Sequence, residues 1–328
     1  IDISQGREER ENAFRVDVVP LKAGGIVFFA HLYCAEFIHR NADYFQVIFF
    51  GICYGSESMR FGLNTFLESP GFTDSTMPLL ESFKAYGAEL IELAVVDPAA
   101  VTPEKLLVAL DEVGFIQPVV CGAFGEGRDL RGSQQEIDGA VSYVSDLIDL
   151  AQKIGSKVVC GPMYSRTGRC GSHTSEEREL QLDQISSALK PLCDKAEATG
   201  VILAVEPLNR FETDCINTLD QAIALIERTG SSALKIHVDT FHMHIEEVDS
   251  ADAIRRAAGH IGHVHASASH RGLLGRDKVD WEGVFSALDQ IGYDGDVVIE
   301  SFSPDNPTIA RAASIWRDLY DSPEQLAV

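Results

Sequence analysis

The stretch VILAVE (201–206) ends an apolar run on a carboxylate, and three later stretches repeat the pattern: ALKIHVD (233–239), IGHVH (261–265) and DVVIE (296–300). Each run has the length of a buried strand. The final residues, Glu206, Asp239, His265 and Glu300, are all of types that bind hard metal ions. They stand 26 to 35 positions apart, close to one strand-plus-helix unit. The pattern predicts four successive βα units with a ligand at the carboxyl end of each strand.

A (β/α)8 barrel builds its active site in this way, because the carboxyl ends of its eight strands meet on one face. A single acidic residue at a strand end is often only a helix cap or a loop residue. Four such residues in succession indicate a metal site, since the barrel topology brings them together. We therefore predict an α/β protein consisting of a single (β/α)8 TIM barrel with an N-terminal extension.

Strand and helix signals alternate without a break from Met59 onward. Four predicted strands, 60–66, 88–96, 115–125 and 156–163, precede the four quoted above. Eight predicted helices follow the strands, at 76–87, 102–114, 136–155, 175–200, 218–230, 250–259, 281–292 and 307–320. Most of them end at a glycine, which is typical of a left-handed C-cap. Residues 59–328 are thus predicted to form the complete catalytic barrel.

Residues 1–58 are predicted to be an extension whose structure the sequence does not indicate. They hold no methionine, and the first one, Met59, opens the stretch MRFGLNTFL, which is typical of a first barrel strand. The apolar stretches GGIVFFAHLYC (24–34) and FQVIFFGICYG (45–55) are too short and too interrupted to cross a bilayer. The mixed charge of RENAFRVDVVPLK (10–22) disfavours a signal peptide. We expect the extension to lie outside the functional domain and to be translated from upstream of the natural start.

Composition narrows the class of partner. The chain has 328 residues, 45% of them hydrophobic, and a formal net charge of −23 without a basic cluster, which disfavours nucleic acid and anionic membranes. Its seven cysteines include no C-x-x-C pair, so that neither a disulfide framework nor a zinc ribbon is indicated. We expect reduced, mostly buried thiols in a cytoplasmic enzyme.

The four proposed ligands also indicate the type of metal. Three carboxylates and one imidazole form a hard, anionic set that suits Mn2+, Co2+ or Mg2+ better than a thiolate-preferring ion. Such a cation with open positions acts as a Lewis acid that stabilises an enediolate. The reaction class that follows is proton abstraction next to a carbonyl.

Four longer blocks carry a family resemblance: VEPLNRFETD (205–214), HVDTFHMHIEE (237–247), HVHASASHRG (263–272) and GYDGDVVIESF (292–302). In order and spacing the chain resembles the D-tagatose 3-epimerase family, which includes D-psicose (D-allulose) 3-epimerases, over essentially all of 59–328. The stretch GPMYSRTGR (161–169) is similar to the family's loop after strand four. The resemblance implies a ketose substrate, one divalent metal ion, commonly Mn2+, and a homodimer or homotetramer.

The resemblance also implies a role for each matched residue. Glu206, Asp239, His265 and Glu300 would bind the metal, which would chelate O2 and O3 of a free ketose. Glu212, His242 and Arg271 would hold oxygens near the carbonyl end. Glu206 and Glu300 would flank a planar cis-enediolate, so that one removes the C3 proton and the other returns one to the opposite face. The preferred ketose stays open among D-tagatose, D-fructose/D-psicose and L-ribulose.

Three other functions remain to be weighed. An aldose–ketose isomerase, including a hydroxypyruvate isomerase, would use a similar metal site. An endonuclease of related barrel type would need a zinc cluster and a basic face, which the net charge opposes. A barrel that binds sugar without turnover is disfavoured by the two intact acids. The chain also departs from the family at His244 and in GLLGRDK (272–278), and Phe66, Phe124 and Tyr164 are expected to be core or wall residues near the remaining hydroxyls.

Overall fold

The structure is a computed structural model that describes residues 59–85, 88–272, 274 and 277–300. Eight parallel strands close into a barrel in chain order, because the first strand pairs with both the second and the eighth. The strands are β1 (Arg60–Asn64), β2 (Leu90–Ala94), β3 (Val119–Cys121), β4 (Val158–Gly161), β5 (Ile202–Val205), β6 (Leu234–Asp239), β7 (Ile261–Ala266) and β8 (Asp296–Ile299). The predicted TIM barrel is confirmed.

Helices separate the strands in the part of the chain that the structure describes. They are α1 (Leu79–Ala85), α2 (Pro103–Val113), α3 (Gln134–Ile154), α4 (Ser175–Thr199), α5 (Leu219–Thr229), α6 (Thr240–Glu246), α7 (Ser250–Arg256) and α8 (Trp281–Gln290). Only α6 was not predicted. The extension 1–58 and the predicted helix 307–320 lie outside the described residues.

β3 is much shorter than the predicted strand 115–125. Gln117 has a φ of 52°, in the left-handed region, which is incompatible with an extended strand. Pro118 follows it and has no backbone N–H to donate to the sheet. The strand therefore begins only at Val119.

Capping side chains determine where the long helices begin. The Ser133 hydroxyl accepts from the backbone N–H of Glu136, and the Glu136 carboxylate accepts from the backbone N–H of Ser133. Thr174 and Glu177 form the same reciprocal pair at the start of α4. Each capping box satisfies two N–H groups that a helix start leaves unpaired. The loops that precede α3 and α4 lie on the same face of the barrel as the strand ends, so these caps help to order that face.

The barrel interior is apolar in one layer and polar in the next. Inward-facing side chains of several strands form a separate buried apolar layer that includes Leu90, Val119, Ala204 and Val298. Two positions further along three strands, the inward side chain changes to Glu92 on β2, Glu206 after β5 and Glu300 after β8. Since side chains alternate between the two faces of a strand, these acids line the interior at its carboxyl end.

Two sequence expectations can be compared with the described residues. Cys121, Cys160, Cys170, Cys193 and Cys215 are free thiols, and all except Cys170 are buried. Among the described helices, none combines the length and the apolar character that crossing a bilayer requires.

We propose that residues 59–328 form the catalytic domain, and we expect a chain that begins at Met59 to fold and to keep its specific activity. The contacts that close the barrel support this proposal, since the Arg60 guanidinium donates through two nitrogens to the Asp296 carboxylate, at 2.8 Å each. Thermal unfolding and turnover of the shortened and full-length chains provide the comparison. An insoluble or largely inactive shortened chain would show that the first 58 residues belong to the working protein.

Candidate active site

Four buried side chains meet where β5, β6, β7 and β8 end. One ligand-capable atom from each of Glu206, Asp239, His265 and Glu300 lies within 4.8 Å of those of the others. Each residue is at most 8% exposed. The structure therefore brings together the four residues that the sequence indicated as ligands.

The imidazole of His265 is oriented toward the carboxylates. Its Nδ1 lies 3.3 Å from Glu300 Oε2 and 3.7 Å from Asp239 Oδ2. This nitrogen is fully buried and makes no hydrogen bond of normal geometry. Burial opposes protonation of His265, but the charges of Glu92 and Glu300 outweigh it and raise the pKa of His265 well above its usual range. Positive charge is therefore favoured at this nitrogen, and a bound cation would supply it in place of the proton. The donor set of three carboxylates and one imidazole fits a hard divalent ion of the Mn2+, Co2+ or Mg2+ type.

The charges at this centre are closely coupled. Burial, together with the charges of Asp239 and Glu300, raises the pKa of Glu206 well above its usual range. Burial also opposes ionisation of Asp239, but the Arg271 guanidinium together with His242 and His265 outweighs it, and the pKa of Asp239 falls well below its usual range. Three carboxylates within a few ångströms repel one another unless positive charge lies between them. A bound divalent cation would supply such charge.

Arg271 lies against the proposed ligands. Its Nη1 donates to Asp239 Oδ2 at 2.9 Å and to Glu300 Oε2 at 2.8 Å. The guanidinium stacks 4.3 Å from the centre of the Phe241 ring. The backbone of Arg271 has a φ of 55°, a conformation that costs a non-glycine residue about 1–3 kcal/mol. Strain of this kind persists where surrounding contacts hold the residue, and it is common at functional sites.

The unpredicted helix α6 positions His242. It begins directly after Asp239, whose Oδ1 accepts from the backbone N–H groups of Phe241 and His242. The other carboxylate oxygen, Oδ2, faces Arg271. Asp239 is therefore both the helix N-cap and a member of the candidate metal centre, and its two oxygens serve the two functions separately.

His242 is linked to Glu212 through Asn209. The Asn209 backbone N–H donates to His242 Nδ1 at 2.9 Å, and its side-chain amide donates to Glu212 Oε1 at 2.7 Å. Burial lowers the pKa of His242, which favours the neutral imidazole. Because Nδ1 accepts, the proton of the neutral ring is on Nε2. That atom lies 3.5 Å from Glu206 Oε1 and 2.9 Å from Arg271 Nη2.

Sequence reasoning missed Asn209 and Glu92. Glu92 is completely buried in β2 and accepts from His265 Nε2 at 2.7 Å and from His263 Nε2 at 2.6 Å. Burial opposes its ionisation, but the two histidines lower the pKa of Glu92 well below its usual range. The available signal was a charged residue in the middle of the apolar stretch LIELA (90–94).

The three expected wall residues differ in exposure. Phe124 and Tyr164 are buried in the main hydrophobic core, and Phe66 is half-buried. The Tyr164 hydroxyl donates to the backbone carbonyl of Ile216 at 2.9 Å. His244, the departure from the family pattern, is exposed on α6.

Comparisons with known proteins agree with the barrel fold. Residues 80–319 match the family model described as xylose isomerase-like TIM barrel. The chain is 34% identical over 264 residues to an L-ribulose 3-epimerase from Mesorhizobium japonicum, covering 80% of this chain and 88% of the relative. It is 32% identical over 243 residues to a ketose 3-epimerase from Arthrobacter globiformis, covering 73% and 83%. A solved structure of L-ribulose 3-epimerase superposes with a TM-score of 0.72 at 33% identity, covering 79% of this chain and 87% of that one.

Proposed function

The chain belongs to the ketose 3-epimerases of the xylose isomerase-like TIM barrel family, and from this premise we propose that it inverts C3 of a free ketose with the help of one divalent metal ion. Membership makes the protein an isomerase. The observation that carries the proposed metal dependence is the buried cluster of three carboxylates and one imidazole.

Glu206, Asp239, His265 and Glu300 are the residues that would hold the ion, for which Mn2+ is the first choice and Co2+ or Mg2+ the alternatives. The unpaired Nδ1 of His265 and the oxygen-rich donor set support this assignment. When bound, the ion supplies Lewis acidity that makes the proton on the carbon next to the carbonyl easier to remove.

Glu206 and Glu300 are the proposed proton-transfer groups. They follow β5 and β8, which are three strands apart in an eight-stranded barrel, so the two carboxylates approach the centre from different sides. Inversion at one carbon requires this arrangement, since the proton leaves one face of the enediolate and returns to the other. The direction of the reaction decides which carboxylate is the base.

His242 and Arg271 are the proposed ligands for the ketose oxygens. The Nε2–H of His242 and the guanidinium of Arg271 are both donors, and their nitrogens lie 2.9 Å apart. An acceptor placed between them can accept from both, and a carbonyl or hydroxyl oxygen of the substrate is such an acceptor. Glu212 joins this group through Asn209 and is the proposed acceptor for a substrate hydroxyl.

Replacement of Arg271 by glutamine should weaken ketose binding more than it slows the chemical step. The loss of charged hydrogen bonds at this position should raise KM by roughly 10- to 100-fold with a smaller fall in kcat. Arg255→Gln is the control, since Arg255 is exposed and donates to Gln290 on the outer helices. A large fall in kcat at unchanged KM would contradict the positioning role.

The experiment that tests the function is incubation of the metal-loaded enzyme with D-tagatose, D-fructose, D-psicose and L-ribulose in deuterated water. We expect deuterium at C3 and a C3-epimeric ketose as product, and the relative rates identify the preferred sugar. An aldose–ketose isomerase would instead exchange hydrogen at C1 and release an aldose. That outcome would replace the proposed reaction by the alternative one.

A further inference from the structure

A second buried polar cluster lies inside the barrel next to the metal centre, around the carboxylate of Glu92. Its Oε1 accepts from Asn64 Nδ2 at 2.5 Å and from His265 Nε2 at 2.7 Å. Its Oε2 accepts from His263 Nε2 at 2.6 Å and from Cys160 Sγ at 3.5 Å. All five residues are buried. Apart from His265, none of them was expected to take part in the reaction.

The carboxylate determines where the hydrogens on both imidazoles lie. An ionised carboxylate has only acceptor sites, so His263 and His265 must each donate through Nε2. In the neutral ring that metal binding requires, this leaves Nδ1 of His265 as the lone-pair nitrogen, and Nδ1 is the atom that lies 3.3 Å from Glu300 Oε2. The buried hydrogen bond also fixes the rotation of the ring, because a flipped imidazole would present carbon to Glu92.

The hydrogen bond between Glu92 and His265 reaches across the barrel. β2 and β7 are three strands apart around the closed sheet, and Glu92 and His265 are 173 positions apart in sequence. His263 and His265 are two positions apart on β7, so both rings enter the interior on the same side of the strand. An apolar residue at position 92 would leave two buried ring N–H groups without an acceptor.

We propose that Glu92 is a positioning residue of the metal centre, which holds Nε2–H of His265 and thereby directs Nδ1 at the cation. This inference rests on the metal dependence proposed above. A hydrogen-bonded carboxylate also strengthens the electron donation of the imidazole to a metal. Glu92 does not contact substrate in this role; it acts through His265.

Mn2+ affinity is the direct readout, measured from the electron paramagnetic resonance signal of free Mn2+ during titration. Removal of a carboxylate that orients a metal-binding histidine typically weakens binding about 10- to 100-fold. We expect the loss of Mn2+ affinity in Glu92→Ala to lie near the upper end of this range. Glu92→Gln should lie near the lower end, because its amide oxygen still accepts from one imidazole.

Two controls separate positioning from general destabilisation. Leu90→Ala opens a cavity in the same strand, in the apolar layer, and should lower the unfolding temperature while Mn2+ affinity stays near wild type. Cys160→Ser changes a group that contacts Glu92 but leaves its bond to His265, and should likewise bind Mn2+ normally. Wild-type Mn2+ affinity in both Glu92 variants, or an equal loss in Leu90→Ala, would overturn the proposal.

Nitrogen NMR of the wild-type protein provides a test that needs no folded Glu92 variant. In the Mg2+-loaded protein, His265 should show a slowly exchanging proton on Nε2 and none on Nδ1; the signal is identified by its absence from His265→Gln. A proton on Nδ1, or none on Nε2, would overturn the proposed role. Failure of the metal function itself has a different signature, since the wild-type protein would then not bind Mn2+ at all.

Discussion

Glu206→Gln and Glu300→Gln should each lower the rate of C3 epimerisation by on the order of 10⁴-fold, while ketose binding is largely retained. The amide keeps an oxygen that can still contact the metal but cannot accept the C3 proton. General acid–base groups contribute about 10²- to 10⁴-fold, and each of these acids is also a proposed metal ligand, so the fall should reach the upper end of that range or exceed it.

The measurement must separate proton transfer from metal loss. Both variants are first saturated with Mn2+ and their metal content is verified; C3 hydrogen exchange in deuterated water and ketose binding by calorimetry are then recorded. Glu179→Gln is the matched control, because this exposed acid pairs with Arg228 on the outer helices. If both metal-replete variants exchange C3 hydrogen at near-normal rates, the two-carboxylate mechanism is wrong.

Removal of the metal should abolish turnover, and Mn2+ or Co2+ should restore it. Prolonged EDTA treatment followed by desalting gives the metal-free protein, and EDTA saturated with Mn2+ beforehand is the control for nonspecific effects. Full activity in protein verified to be metal-free would contradict the proposal.

The same treatment should lower the thermal stability. An ion that binds the folded state alone stabilises it by about 2.7 kcal/mol at one hundred times its dissociation constant. Relief of the repulsion among the buried carboxylates is part of this binding free energy and is contained in the dissociation constant. Thermal unfolding with and without Mn2+ measures this stabilisation. Identical unfolding temperatures would show that the ion does not bind the folded site.

The barrel and its four candidate ligands were accessible from the sequence because both depend on local pattern. Apolar runs of strand length, separated by helical segments, predict the βα repeat, and the residue that ends each run is expected on the catalytic face. The structure places Glu206, Asp239, His265 and Glu300 together as expected. Their assignment as metal ligands stays a prediction until binding is measured.

Helix α6 shows where local pattern is insufficient. It has seven residues and starts immediately after β6, without a loop or turn signal between them. Its N-cap is Asp239, which the sequence marks equally well as the last residue of a strand. The choice between a loop and a helix there depends on whether the Asp239 carboxylate accepts from the following backbone N–H groups, as it does in the structure.

The sequence by itself determined the fold class, the order of the strands and the four residues at their ends, because short-range periodicity specifies each of these. Only the tertiary structure decided which residues are hydrogen-bonded to one another: Glu92 to His265, Asn209 to His242, and Arg271 to Asp239 and Glu300. The physical reason is that a hydrogen bond requires two atoms at about 3 Å in a suitable direction. For residues on different strands, that condition is met only once the barrel has closed.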